Sequence, residues 1–172
     1  GKAAPVPVYR PLAAIPAGPA PDGPLVGRAA ERAALAAALA MRTQKIRIGF
    51  AVIQMALRHP VRLATQLSLL DNLSRGRLDI GVGRGSIFNE YEFVGYGLRS
   101  NDARERMAEV LEVMTRAWTA TPLDFKGKYF TLRLPELRPA PVQQPHPPIW
   151  HSVASTAAFR HCGEKGVPIL TV

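Results

Sequence analysis

From residue 28 onward, helical and strand-like segments alternate along the chain, and this alternation restricts its fold more than any other feature. The Ala- and Leu-rich "RAAERAALAAALAM" (28–41) predicts a helix on propensity. "KIRIGF" (45–50) reads as a strand ending at a glycine. In "PVRLATQLSLLDNLS" (60–74), Val61, Leu63, Ala64, Leu67 and Leu70 recur at helical intervals. Pro60 suits the first turn there, and Ser74-Arg75-Gly76 closes the far end. "RLDIGVG" (77–83) is a second strand, and 86–101 is a loop or irregular element carrying Phe88, Tyr91, Phe93 and Tyr96. "DARERMAEVLEVMTRAWT" (102–119) predicts a helix from an Asn/Asp cap, with the stripe Met107, Val110, Leu111, Met114 and Trp118. "FKGKYFTLR" (125–133) is an excursion turning at Lys126-Gly127, and a proline-rich connector follows. Strand "IWHSVAS" (149–155), short helix "TAAFRHCGEKG" (156–166) and strand "VPILTV" (167–172) complete the order. Such alternation implies an α/β fold of parallel βα units. Either an open doubly wound sheet or part of a (β/α)8 barrel satisfies it, and both bind ligands at the carboxyl ends of their strands.

The 172 residues are 47% hydrophobic, enough for a core, and no apolar run approaches the ~18–20 residues that span a bilayer. The opening Gly-Lys-Ala-Ala-Pro lacks the apolar segment of a signal peptide, and the single cysteine, Cys162, fits a reducing cytoplasm without a disulfide framework. A formal charge of +9 suits a solvated basic face or an anionic partner. No Lys/Arg run exceeds two residues and no aromatic ladder accompanies the cations, so neither nucleic acid nor membrane is an expected partner. Seven of the sixteen prolines fall in the first 24 residues, where they oppose helix interiors and central strands alike. Residues 1–27 are therefore expected to form a disordered Pro/Ala-rich arm, and 28–172 the folded domain.

Gly81, Gly83 and Gly85 alternate, so strand geometry would place them on one side and leave a flat floor for a ring or a backbone. Arg84 between them offers a permanent cation whose fork of donors matches phosphate oxygens. The same residues also fit a tight packed bend with a solvated arginine. Gly-x-Gly-x-Gly followed by "SIFNEYEF" is not the dinucleotide fingerprint. His59 reads as a helix-entry residue and Asp71 with Arg77 as a structural pair. His161 and Cys162 read as structural, whereas Trp150 and His151 could line a pocket or simply pack. No spacing suggests a zinc site or an ordered Ser-His-Asp set, so catalytic residues stay unassigned.

The stretch "RHPVRLATQLSLLDNLSRGRLDIGVGRG" resembles the luciferase-like flavin monooxygenase family, which includes the bacterial luciferase alpha chain and related deazaflavin-dependent oxidoreductases. The pattern starts with T-x-x-I-R-I-G (Thr43 to Gly49) and His-Pro at a helix start. It continues through Leu-Asp-x-Leu-Ser-x-Gly-Arg and Gly-x-Gly-x-Gly, then "NEYEFVGYG", "RERMAEVLEVMTRAW", "FKGKYF", "PAPVQQPHPPIW" and "EKGVPIL" in the same order. About residues 35–172 are covered. The resemblance implies a TIM-type (β/α)8 barrel, of which about four of eight strands are present. It implies reduced FMN, or alternatively an 8-hydroxy-5-deazaflavin coenzyme, bound at the carboxyl face. Arg84 with Ser155 and Thr156 would then hold the phosphate, and a non-proline cis peptide at Ala51-Val52 would support the ring beside Gly83.

On this reading the chain is a flavin-dependent oxidoreductase that uses reduced FMN and oxygen on a small organic substrate, with a separate flavin reductase as partner. A deazaflavin-dependent hydride-transfer enzyme and an inactive truncated barrel are the alternatives. The first two family strands and the last ones have no counterpart here. The expectation is accordingly a fragment or aberrant gene product, which exposes two strand edges and associates with itself or another chain.

Overall fold

The structure is a computed structural model that describes residues 29–85 and 89–171. The arm expected over 1–27 lies outside the described residues, as do Phe88 and Val172. The chain runs α1 (Ala29–Arg42), β1 (Ile48–Gln54), α2 (Pro60–Ser74), β2 (Leu78–Gly83), α3 (Glu90–Gly95) and α4 (Ala103–Thr119). A hairpin, β3 (Leu123–Lys126) and β4 (Thr131–Leu134), precedes β5 (Ile149–Ser152), α5 (Thr156–Glu164) and β6 (Ile169–Leu170).

Four strands form one parallel sheet in the order β1-β2-β5-β6, and β3–β4 pair antiparallel apart from it. Each new strand of the sheet adds beside the one before. A doubly wound sheet would reverse direction at a switch point, so this order is that of a barrel wall.

Alternate residues of β2 show why the sheet holds. Leu78, Ile80 and Val82 are each fully buried, against Leu63, Leu67 and Leu70 of α2 and Val110, Val113 and Met114 of α4. The stripe of α4 is rotated slightly from expectation, with Met107, Leu111 and Trp118 at its margin. Trp118 still satisfies its indole, donating to the Ser68 hydroxyl at 2.8 Å.

Several boundaries move for identifiable reasons. β1 begins three residues later than the strand expected from Lys45 and passes Gly49 to reach Gln54. Arg77 is the cause: it donates to the carbonyls of Ala40, Thr43 and Ile46 and so holds the α1–β1 connection in a turn. The ladder with β2 then carries β1 past a bulge between Phe50 and Ile53. Within the expected loop over 86–101, Glu90–Gly95 is helical because Phe93 is buried with Ala56 and Ala103. Asp102 precedes α4 without capping it, since its carboxylate pairs with Arg99 instead.

Asp71 and Arg77 do not pair, contrary to expectation. The fully buried Asp71 carboxylate accepts from the amides of Val142 and Gln143 and from Gln143 Nε2, while Arg77 binds carbonyls and the Thr43 hydroxyl. Both are structural, but each fastens a different connection: Asp71 the one before β5, Arg77 the one before β1. α2 ends between them as its Ser-Arg-Gly signal predicts, with Arg75 at φ 55° and Gly76 at φ 76°.

Candidate functional site at the strand ends

In a parallel ladder, partners in register share a face. Gly49 is opposite Asp79, and Gly81 is opposite Trp150, so these residues occupy the sheet face turned away from α2 and α4. A polar group closes the amino end of this face. Arg47 makes a two-pronged contact to Asp79 (Nε–Oδ2 2.6 Å, Nη2–Oδ1 2.9 Å), and Trp150 Nε1 donates to Asp79 Oδ1 at 3.4 Å. Hydrogen bonding to the carboxylate raises the Arg47 pKa above its ordinary value. Its guanidinium is therefore a fixed charge.

The glycines do not form one open floor. A Cβ on Gly81 would run into the Phe50 carbonyl oxygen and lie 2.7 Å from Leu170 Cδ1, so that position is closed by the neighbouring strands. Gly85, at φ +89°, has already left strand geometry and abuts the Phe93 ring. Only Gly83 faces the strand ends, where its missing Cβ would meet Val52 Cγ2 at 2.9 Å and Ser152 Cβ at 3.8 Å. Tertiary packing thus accounts for each of the three glycines through a different neighbour, a distinction that period-2 alternation alone does not make.

The remaining predicted residues stand at the carboxyl ends of three adjacent strands. Ala51 and Val52 form the bulge of β1, and the peptide bond between them is cis, as the resemblance implies. Arg84 follows the last residue of β2 and is exposed. Ser155 caps α5 after β5, its hydroxyl accepting from the Ala158 amide at 3.3 Å, and exposed Thr156 opens the helix. First-turn amides have no acceptor within their own helix, so this end of α5 favours an anion. An open groove of about 320 Å³ lies beside the bulge, lined by β1, α1, α2 and α3. Val52 and Gln54 line it, whereas Arg84 and Ser155 do not.

Trp150 and His151 part company here. Trp150 is on the Asp79 face, whereas His151 is in register with Val82 and so faces the helix layer. Burial, with the nearby charge of His161, pushes the His151 pKa below its ordinary 6.5. The folded chain therefore prefers the neutral ring, while the unfolded chain takes up a proton near pH 6.5. The stability this group contributes is complete above that pH and declines as pH falls through and below it. Thermal melts at pH 7.5 and 5.5 check this: the wild type should lose Tm on acidification, and His151→Gln should lose less. His59, exposed at the entry to α2, stacks edge-on against Phe130 (ring centroids 5.8 Å), which fits its expected structural role. Cys162 is buried on α5.

The sequence profile described as "luciferase-like monooxygenase" matches residues 19–172. The chain belongs to that family. It is 33% identical over 112 residues to the oxygenase component of a flavin-dependent trigonelline monooxygenase from Acinetobacter baylyi, covering 65% of this chain and 31% of that protein. Among solved structures it resembles the monooxygenase RslO1 from Streptomyces bottropensis, with TM-score 0.73 and 30% identity over 80% of this chain and 41% of the other. An F420-dependent secondary alcohol dehydrogenase matches with TM-score 0.69 and 26% identity, over 81% of this chain and 42% of that one. The chain thus spans about a third to two-fifths of the length of these family members. Its four parallel strands correspond to part of the luciferase-like barrel, as expected.

Two residues bound to or beside the segment that follows β1 carry no functional signal in the sequence. Arg106 and Glu109 lie on α4 in a helical pattern; their partners come from the Ala56 turn after β1 for Arg106 and from the hairpin folded back on the helix for both. A Glu one turn from an Arg carries no signal of that kind by itself.

Proposed function

We propose that this chain binds a reduced flavin across the carboxyl ends of β1, β2 and β5 and serves in a flavin-dependent monooxygenase acting on a small organic substrate. One observation carries the reading: a permanent cation, Arg84, and a capped helix start, Ser155–Thr156, follow adjacent strands beside the Ala51–Val52 bulge. These groups suit the cofactor's two chemically unlike ends. Arg84, the Ser155 hydroxyl and the first amides of α5 would hold a phosphate through charge-assisted hydrogen bonds. Val52, with Gly83 behind it, would present an apolar wall to a flat ring.

Bound reduced flavin supplies the electrons that activate oxygen, and the protein's part is binding, orientation and exclusion of water. A flavin is favoured over the deazaflavin because the trigonelline relative is flavin-dependent, and its being an oxygenase component supports a separate reductase partner here too. The similarity to an F420-dependent dehydrogenase keeps the 8-hydroxy-5-deazaflavin coenzyme, and hydride transfer, as the second reading. The cytoplasm is the proposed compartment, and no described helix is long and apolar enough to cross a membrane. Among the described residues, β1 and β6 are the edge strands of the four-stranded sheet, which supports self-association as part of the proposal.

Anaerobic titrations with reduced FMN, reduced riboflavin and the deazaflavin coenzyme test the site. The wild type should prefer FMN to riboflavin, because only FMN carries a phosphate. Arg84→Ala should weaken FMN binding roughly tenfold or more while leaving riboflavin nearly unchanged, given ~1.5–3 kcal/mol for a hydrogen bond to a charged group. Equal loss for both ligands would remove Arg84 from the phosphate site. Binding of none of the three would end the cofactor reading.

A further inference from the structure

Arg106 takes no part in the proposed cofactor contacts, yet it joins two segments distant in sequence. Half-buried on α4, it donates from Nε to the Ala56 carbonyl at 2.7 Å. Its guanidinium also lies 4.8 Å from the ring centroid of Phe130 and 5.6 Å from that of Tyr129, at the tip of the β3–β4 hairpin. Ala56 belongs to the short 3-10 turn Met55–Leu57 that leaves β1, four residues beyond Val52. This turn is not on the surface: Met55 and Ala56 are fully buried. A carbonyl in such a place needs a donor, and the Arg106 side chain supplies one.

The other end of the link is firmly anchored. Glu109, one turn further along α4, accepts from three successive amides of the hairpin: Lys128 at 2.5 Å, Tyr129 at 2.9 Å and Phe130 at 3.1 Å. Gly127 permits this approach, since a Cβ there would lie 2.6 Å from Glu109 Oε2. Glu105 adds a contact to Lys128 Nζ at 2.6 Å. With hairpin and helix joined in this way, the guanidinium is held between an aromatic face and one carbonyl. Arginine suits the position because its flat cation can stack and donate at the same time.

We propose that Arg106 is a positioning residue that latches the Met55–Leu57 turn to the β3–β4 hairpin and thereby holds the carboxyl end of β1 in place. Its effect on cofactor binding rests on the function proposed above; the latch itself does not. The hairpin, an insertion outside the four-stranded sheet, then serves as the brace for one wall of the site.

Hydrogen exchange followed by mass spectrometry, on the 172-residue chain without ligand, tests the latch directly. In Arg106→Ala, amides of residues 53–58 should exchange about tenfold faster, as expected for local opening on loss of one hydrogen bond. Amides of α2 and β2 should keep their wild-type rates. Arg106→Lys retains charge and a donor and should recover part of the protection. Even acceleration across all segments, or unchanged exchange over 53–58, would overturn the latch. FMN titration supplies the functional readout: Arg106→Ala should bind roughly fivefold more weakly and Arg106→Lys should recover. If wild type binds neither FMN nor the deazaflavin coenzyme, the cofactor site and this consequence fall together, and the exchange pattern decides the latch.

Discussion

Gly81→Ala should destabilise the chain by about 3 kcal/mol or more, at the severe end of what one added methyl does to a packed interior. The added carbon would run into the Phe50 carbonyl oxygen and press on Leu170 Cδ1 at 2.7 Å. Leu170 is a side chain and can turn away. The Phe50 carbonyl cannot, because Phe50 is in register with Ile80 and the β1 bulge begins just after it. Relief would therefore require separating β1 from β2, the pairing that carries the bulge and Gly83 together. Gly163 provides the control. It lies inside α5 with nothing within 4 Å of its Cβ position, so Gly163→Ala should be neutral or stabilise by ~0.5–1 kcal/mol. Urea denaturation of both variants measures the contrast, and similar midpoints would show that β1 and β2 are not packed as described.

Asp71→Ala should cost about 3 kcal/mol or more, because three donors lose one buried acceptor together. The carboxylate is fully buried and accepts from Val142 N at 2.7 Å, Gln143 N at 2.9 Å and Gln143 Nε2 at 2.8 Å. Alanine would leave those donors without their acceptor in the connector that leads into β5, and β5 carries the Ser155 end of the site. Asp71→Asn keeps the shape but brings an amide N–H against N–H donors, so it should lose part of the stability rather than none. Denaturation midpoints give the size of the effect. Limited proteolysis gives its place: cleavage should appear within residues 135–148 in the alanine variant before it appears elsewhere. Uniform cleavage, or a loss under ~1 kcal/mol, would contradict the assigned role.

These two residues also show where reading the chain succeeds and where it stops. α2 was legible from residue 60 to residue 74 because its apolar period, its initial proline and its Ser-Arg-Gly end are all local signals. The candidate site was legible through a resemblance spread over many short motifs, and its members do stand at the carboxyl ends of adjacent strands. Asp71 was legible only as a structural acid. Its partners are 71 and 72 residues away, in a proline-rich connector without a periodic signal, so the nearby Arg77 offered itself as the obvious and incorrect partner. β1 starts three residues after Lys45 for a related reason: Arg77, from across the α1–β1 turn, takes the carbonyls of Thr43 and Ile46.

Local sequence determined most of the succession of elements and the chemistry available at the strand ends, because propensity, capping and apolar period act over a few residues at a time. Tertiary structure alone decided what packs against each glycine, which face Trp150 and His151 take, and which charges meet. Those outcomes depend on distances between segments tens of residues apart. Gly81 and Gly83 look identical along the chain, yet a backbone carbonyl closes one position, and the other lies beside Val52 at the mouth of the sheet.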